Sequence, residues 1–361
     1  LNITPYIYVD EIDQMGYFKL ELTVNENAKG MHPIDKDIFL IIDSSRSIKR
    51  NQLNEFVRGS LNAFSTFSAK DRFNPVLFTT TSKRGFPDFE EVSPESIKKA
   101  RKFLSRFRIF GGKTDVYNSI RPFVSNVTRD NRRPIQIFLM TDGVSTVDES
   151  MGSSAIIKEI TRNNTADISI FGFSCGEEKT DSFLIDFLTY RNRGDSLILN
   201  RVDNANKRLT KYIAERSEIL VSDLLHRYTG SYSEDIFPKK LPHLYRNRTL
   251  TIYGTYNVND KSSLIQIVGQ STSGARQLIY KINFDEARQA SPELAKTWAA
   301  QKIFHLIGQL TDNPAPDIVN EIYSLQQRFK VYIPYSLPKR KSTKQQQLDS
   351  KPRTIIMQPR K

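Results

Sequence analysis

The 361-residue sequence contains one cysteine and four histidines. The single cysteine, Cys175, excludes an intramolecular disulfide, but it leaves the compartment open because large secreted domains can fold without bridges. The four histidines, at positions 32, 226, 243 and 305, have no spacing typical of metal ligands, so we predict no site for zinc or another imidazole-binding metal. No Ser-His or Cys-His arrangement for nucleophilic catalysis can be assembled from the motifs. We therefore expect a protein that is not an enzyme.

Long apolar stretches are also missing. No apolar run approaches the roughly 18 residues of a membrane span, and no signal-peptide pattern opens the chain. Because the first residue is a leucine, we expect that the chain was trimmed upstream and that a targeting segment could have been removed.

The positive charge is concentrated near the end of the sequence. The formal net charge is +13, and residues 339–361 contribute +7 of it through eight Lys or Arg and one Asp. We expect residues 337–361 to be a basic, disordered tail. Such a tail would attract nucleic acid only in a sequence-independent and salt-sensitive way, so we predict no specific nucleic-acid partner.

Between residues 37 and 220, short apolar runs alternate with longer helical patterns, which is typical of a parallel sheet covered by helices on both faces. The runs are 37–42, 73–80, 134–140, 167–173 and 195–200. We predict a doubly wound, Rossmann-like α/β domain over residues 35–225. Its last helix is expected to start near Asp203 and to continue to about Tyr228.

Strand patterns flank this domain on both sides. They cover residues 16–24, 249–256, 262–270 and 276–284. We therefore predict an α/β domain inserted into an antiparallel β-sandwich, with strands from residues 1–34 and the remainder from residues 226–336. Two helical patterns, at 291–310 and 317–329, are expected to pack on the sandwich.

Oxygen-bearing side chains follow the predicted strands at their carboxyl ends. Asp43, Ser45 and Ser47 lie at i, i+2 and i+4 after the first strand, and Asp142 follows the strand at 134–140. This edge is where open α/β sheets bind ligands. Two consecutive glycines before Lys113 permit a tight loop that brings Thr114 to the same point.

The glycine loop "FGGKTD" is not a phosphate-binding loop. A P-loop needs a glycine five residues before its final Gly-Lys-Thr and follows a buried strand. Phe107 occupies that position, and the loop follows a basic, apolar helical pattern. Thr114 is therefore free to serve the strand-end site.

Two carboxylates and three hydroxyls are hard oxygen ligands, which suit Mg²⁺ with retained waters. Mn²⁺ and Ca²⁺ are alternatives. Neutral hydroxyls leave part of the ion's charge uncompensated, so an open coordination position can attract a carboxylate from another molecule. Each of these residues alone would be read as a helix cap or a turn residue, and only their convergence predicts a metal site.

This Asp-X-Ser-X-Ser motif, with Thr114 and Asp142, resembles the metal-ion-dependent adhesion site of von Willebrand factor A domains. The flanking segments "GYFKLELTV", "FPKKLPHLYRNRTLTIYGTYN" and "WAAQKIFHLIGQL" are similar to the inter-alpha-trypsin inhibitor heavy chains and their bacterial relatives. In that family a VIT domain precedes the A domain, and it is absent from this sequence. Arg46 replaces a glycine that is usual in the bacterial relatives, and Ile48 replaces a frequent methionine. Arg46 is expected to contact an acidic partner or to point into solvent.

The resemblance implies an Mg²⁺-dependent protein-binding or adhesion module whose metal takes an Asp or Glu side chain from a partner protein. The alternative is an accessory subunit of an ATPase complex of the magnesium-chelatase type. We expect an extracellular, cell-surface or periplasmic location. In related A domains ligand binding shifts the last helix, which here would couple binding to the orientation of the two domains. A rigid scaffold is the competing expectation.

Overall fold

The structure is a computed structural model that describes residues 1–24, 31–105, 112–125, 127, 133–146, 151–176 and 180–337. Strands and helices are numbered in chain order. The chain begins with an antiparallel pair, β1 (Asn2–Asp10) and β2 (Met15–Thr23). Phe18, Leu20 and Leu22 of β2 are buried at every second position, the spacing of a strand with one face on a core.

The central unit is a doubly wound α/β domain, as predicted. Its strands are β3 (Asp37–Asp43), β4 (Arg72–Phe78), β5 (Ser82–Arg84), β6 (Glu90–Glu91), β7 (Ile135–Met140), β8 (Ser169–Cys175) and β9 (Ser196–Leu199). Its helices are α1 (Arg50–Ala63), α2 (Pro94–Ser105), α3 (Val116–Ile120), α4 (Ser153–Asn163), α5 (Ser182–Arg191) and α6 (Ala205–Ala214). The strand order is β5-β4-β3-β7-β8-β9, with β6 paired to β4, and only β5 and β6 pair antiparallel.

Strand β3 lies at the centre of this sheet, and all seven of its residues are buried. Ile38, Leu40 and Ile42 face one core, whereas Phe39 and Ile41 face the other. A strand covered on both faces reads as a continuous apolar run, which is why the sequence predicted it. The order reverses at β3, since β4 lies on one side and β7 on the other. Their carboxyl ends therefore form the switch point where such sheets bind ligands.

The second unit is a β-sandwich completed by two helices. Its elements after the α/β domain are β10 (Ile219–Tyr228), β11 (Leu244–Tyr245), β12 (Leu250–Asn257), β13 (Ser262–Ser271), β14 (Gly274–Asn283), β15 (Arg288–Gln289), α7 (Glu293–Leu310) and α8 (Pro316–Phe329). One sheet has the order β12-β2-β1-β15 and the other β11-β10-β13-β14. Phe18 and Ile252 of the first share a core with Ile265 and Ile267 of the second, so the predicted insertion into a sandwich is confirmed.

The predicted helix from Asp203 to Tyr228 is wrong in its second half. Helix α6 ends at Ala214, and β10 then pairs with β11 and β13. Ile219 packs into the α/β core, whereas Leu220 packs into the sandwich core. Because the strand is buried on both faces where it begins, its apolar residues fit a helical spacing as well as a strand.

The C-terminal helices contact both units, and not the sandwich alone as predicted. Near its start, α7 places Trp298 against Tyr17 of the sandwich, with 5.2 Å between ring centroids. Further along, Phe304 stacks on Phe187 of α5 at 4.4 Å. The segment 331–337, which has no regular strand, then returns to α5, where the Tyr335 hydroxyl donates to Asp186 Oδ2 at 2.6 Å.

The predicted domain limits at 34, 225 and 336 stay predictions. Strand β10 crosses the middle limit. Beyond Leu337, the predicted basic tail lies outside the described residues. Within the ranges given above, no helix is long and apolar enough to cross a membrane.

Candidate metal centre

The candidate centre begins where β3 ends, at Asp43. Its carboxylate is fully buried: Oδ1 accepts a hydrogen bond from Ser45 N at 2.9 Å, and Oδ2 accepts one from Thr141 Oγ1 at 2.7 Å. Ile42 pairs with Met140 of β7. The residues that follow the two strands therefore meet at the same edge of the sheet.

The loop after β3 carries the two serines. Ser45 is buried, Ser47 is partly buried, and their hydroxyl oxygens lie 3.0 Å apart. The Arg46 side chain between them is exposed, while its backbone N–H donates to Gly112 O at 3.3 Å. Exposure agrees with the prediction that Arg46 points into solvent, and contact with an acidic partner stays a prediction.

Thr114 is held by a second loop. It is buried, and its backbone forms a reciprocal pair of hydrogen bonds with Thr146, from Thr114 N to Thr146 Oγ1 and from Thr146 N to Thr114 O, both 2.8 Å. Ser145 Oγ also donates to Thr114 O at 3.2 Å. In the part of the chain that the structure describes, the Thr114 hydroxyl has no hydrogen-bond partner. It is available as an oxygen ligand.

Asp142 follows β7 and is buried. Its Oδ1 accepts Val144 N at 2.9 Å, and its carbonyl accepts Asp181 N at 2.8 Å. The chain turns at Gly143, whose φ of +76° lies in the left-handed region that favours glycine. Gly143 N donates to Thr141 Oγ1 at 3.0 Å. One threonine hydroxyl thus supports both aspartate loops.

Hydrogen bonds between the three loops place all five predicted residues at one edge of the sheet. Their role as ligands stays a prediction. Sequence reasoning missed Thr141, Ser145 and Thr146, which position the candidate ligands without being part of the motif. Thr141 could have been found as the hydroxyl residue between the buried strand and Asp142. The other two act across about thirty residues of sequence and carry no local signal.

The electrostatics of the site are those of a buried carboxyl group near a second one. Burial, followed by the negative charge of Asp142, raises the pKa of Asp43 to about 7, although the hydrogen bonds from Thr141 and Ser45 oppose the shift. Among the described residues, no Lys, Arg or His forms an ion pair with Asp43. A buried carboxylate is costly unless a cation or donors compensate it.

This donor set fits a hard divalent cation. It combines two carboxylates with three hydroxyls, and the Thr114 hydroxyl lacks a partner within the described ranges. There is no group of three or more His, Cys, Asp and Glu suited to a metal among the described residues, so a cation here would depend on hydroxyl oxygens. Cys175 ends the neighbouring strand β8 but is buried, and burial raises the pKa of its thiol to about 12. A buried thiol with a raised pKa is an inert core residue and not a nucleophile.

The chain resembles known proteins in both sequence and fold. Residues 36–195 match the family model of the von Willebrand factor type A domain. Over 284 residues the chain is 21% identical to inter-alpha-trypsin inhibitor heavy chain H4 of Homo sapiens. This alignment covers 77% of this chain and 30% of that protein. The chain spans about a third of the length of the curated relatives it matches.

Two solved structures share the fold over most of the chain. The von Willebrand factor type A protein from Catenulispora acidiphila aligns with a TM-score of 0.57 and 15% identity, covering 88% of this chain and 82% of that one. The ArnB paralog VWA2 from Sulfolobus acidocaldarius aligns with a TM-score of 0.53 and 12% identity, covering 91% and 90%. These coverages include the sandwich as well as the α/β domain.

Proposed function

Because the chain carries a von Willebrand factor type A domain and is related to the inter-alpha-trypsin inhibitor heavy chains, we propose that it is an Mg²⁺-dependent protein-binding module. The observation that carries this proposal is the set of carboxylate and hydroxyl oxygens at the carboxyl edge of the sheet. Its central member, Asp43, is buried with only neutral hydrogen-bond donors. A cation beside it would offset the cost of that burial.

The residues that would hold the metal are Asp43, Ser45, Ser47, Thr114 and Asp142. A bound cation supplies a coordination position for an Asp or Glu carboxylate of a partner protein. Mg²⁺ is favoured over zinc because hydroxyl and carboxylate oxygens are hard ligands, with Mn²⁺ and Ca²⁺ as alternatives. Arg46, exposed beside the serines, would add a positive contact for the same acidic partner.

The proposed role is binding and not catalysis. A hydrolase would need a nucleophile with an adjacent base, and neither Cys175 nor any histidine hydrogen-bonds to Asp43, Ser45 or Thr114 within the described residues. An extracellular, cell-surface or periplasmic location remains part of the proposal. The accessory role in an ATPase complex gains no support from the sandwich that surrounds the α/β domain.

Calorimetry with Mg²⁺ and Mn²⁺ tests the metal site. We expect about one ion per chain, and Asp142→Asn should weaken its affinity at least about tenfold, since even residues that only support ligands cost that much. Asp88→Asn is the matched control because it makes the same charge change at an exposed loop carboxylate. If the parent, Asp142→Asn and Asp88→Asn bound the metal with equal affinity, Asp142 would not be a ligand and the proposed metal site would be wrong.

The open coordination position is tested with acetate, the smallest ligand that presents a carboxylate group. In nuclear magnetic resonance spectra, acetate should shift the amide signals of Ser45 and Thr114 only when Mg²⁺ is present. Shifts of the same size without Mg²⁺ would mean that the carboxylate binds elsewhere. Metal binding without any acetate response would leave a metal site but no adhesion function.

A further inference from the structure

A basic cleft lies between the α/β domain and the sandwich. It consists of two neighbouring cavities, of about 340 and 290 Å³, that share Tyr190 and Lys240 in their walls. The segment 191–195 leads into β9. Its residues Arg193, Gly194 and Asp195 line the larger cavity, and Arg191 lines the smaller one. The cleft therefore lies at the amino ends of the parallel strands, opposite the candidate metal centre.

Arg193 is the most deeply buried cation of the larger cavity, with 5% of its surface exposed. Its Nε donates to Asp167 Oδ2 at 2.5 Å, and its Nη1 donates to the carbonyls of Leu224 and Leu241 at 3.0 and 2.6 Å. Within the described ranges its Nη2 has no partner. Lys240 forms an ion pair with the same Asp167. One carboxylate thus serves two cations.

Asp195, which also lines the larger cavity, is a second carboxylate that pairs with two cations. Asp195 Oδ1 pairs with Arg216 Nη2 at 2.6 Å, and Oδ2 pairs with Arg248 Nη1. Arg216 Nη1 also lies 3.5 Å from Glu215 Oε2. Among the described residues, three carboxylates therefore face the four cations, which leaves one positive charge without a protein counter-charge. Uncompensated charge in a partly buried place is costly unless a ligand supplies the opposite sign.

The smaller cavity is also positive. It is lined by Arg191, Lys239 and Lys240 and by one carboxylate, Asp312, which pairs with Arg191 at 2.6 Å. Among the described residues, the only carboxylate within 4 Å of Lys239 Nζ is Glu234, at 3.9 Å and 98% exposed. Burial, then the charges of Lys239, Arg191 and Lys302, lower the pKa of His305 to about 4. A histidine held neutral by its surroundings agrees with a positive field in this cavity.

We propose that the basic cleft binds an oxyanion, namely a phosphate or sulfate group carried by a small molecule, between Arg193, Lys239 and Lys240. The unpartnered Nη2 of Arg193 and two lysine ammonium groups offer charge-assisted donors to a group with several acceptor oxygens. A phosphate or sulfate group presents at least three acceptor oxygens, one for each of these side chains, whereas a carboxylate presents two. The site is independent of the proposed metal function.

An anion in the cleft would join the two units of the protein. Arg193 belongs to the turn that leads into β9 of the α/β domain, whereas Lys239 and Lys240 precede β11 of the sandwich. An anion that binds the cleft of the folded protein, and not the unfolded chain, stabilises the folded state by mass action. The binding should therefore be visible as a rise in the melting temperature.

Thermal unfolding and calorimetry of the full chain with inorganic phosphate test the proposal. At constant ionic strength, phosphate or sulfate should raise the melting temperature of the parent, whereas acetate and chloride should not. The tighter of the two anions identifies the group. A response to phosphate no larger than that to chloride would overturn the site.

Variants locate the binding. Lys239→Ala and Lys240→Ala should each weaken phosphate affinity about tenfold, the loss expected for one charge-assisted contact. Lys281→Ala is the matched control because Lys281 is exposed on β14, and it should bind phosphate as the parent does. Equal affinity in all of these proteins would place the anion elsewhere. Should Lys240→Ala fail to fold because Asp167 loses a partner, Lys239→Ala still decides the outcome.

Discussion

The buried ion pair between Lys36 and Asp71 offers a quantitative test of what holds the α/β domain together. The side chains are 2% and 1% exposed, and Lys36 Nζ lies 2.6 Å from Asp71 Oδ2. Asp71 also accepts the backbone N–H groups of Lys36 at 3.2 Å and Ser68 at 2.9 Å. The pair thereby fixes the residue before β3 to the turn before β4. Burial lowers the pKa of Lys36, and the Asp71 carboxylate opposes this shift.

Removing one partner should cost far more than removing both charges. Lys36→Met or Asp71→Asn leaves a buried charge without its partner, for which we expect a loss of about 3 to 5 kcal/mol in the free energy of unfolding. The double variant leaves no buried charge, and the amide oxygen still accepts one backbone N–H. Its loss should be near 1 kcal/mol, the value of the one hydrogen bond given up.

Urea unfolding followed by circular dichroism measures these differences, and each single variant should also melt about 6 to 20 °C below the parent. The control is Lys99→Ala, which breaks an exposed pair with Glu90 at 3.2 Å, where Lys99 is 63% exposed. It should cost less than about 1 kcal/mol. If the double variant lost as much as the two single variants together, the cost would lie in packing, and the electrostatic reasoning would be refuted.

Two further predictions concern the junction between the units. Burial, then positive charges led by Lys239, lower the pKa of His305 from 6.5 to about 4, so its contribution to stability is complete above pH 6.5 and is lost as the pH falls toward 4. In urea titrations at pH 7 and 4.5, the parent should lose about 2 kcal/mol more than His305→Gln, and equal losses would contradict this. Phe304→Ala removes the stack on Phe187 and should lower the free energy of unfolding, measured by thermal unfolding, by about 2 to 4 kcal/mol. The control Tyr332→Ala, at a residue that is 84% exposed, should leave stability unchanged.

The sequence predicted the elements whose local pattern has a single interpretation. Strand β3 is a short apolar run followed by polar loop residues, and the Asp-X-Ser-X-Ser motif after it needs only the strand direction to be placed at the carboxyl edge. The prediction for the segment of β10 was wrong because Ile219 and Leu220 pack into two different cores. Burial on both faces depends on the sandwich and the α/β domain together, and no local pattern encodes it.

Features made by distant parts of the chain could not be predicted in the same way. Thr146 holds Thr114 through hydrogen bonds across 32 positions of sequence. The basic cleft joins Arg193 to Lys239 and Lys240, and its excess charge becomes visible only when Asp167 is seen to serve two cations. The composition gives the number of charged residues, whereas which of them form ion pairs with the same partner depends on the fold.

The contacts between the two units favour a rigid scaffold over a change in their orientation. Four residues separate α6 from β10, so the sandwich begins directly at the α/β domain. Arg193 ties the turn before β9 to the carbonyls of Leu224 and Leu241, and α7 contacts the sandwich through Trp298 and α5 through Phe304. A rotation of one unit against the other would break buried hydrogen bonds and an aromatic stack at once. Such losses are large beside the few kcal/mol that separate interconverting states. The proposed metal and anion sites therefore lie at opposite edges of one fixed sheet, and a partner held at the first would be presented in a constant orientation.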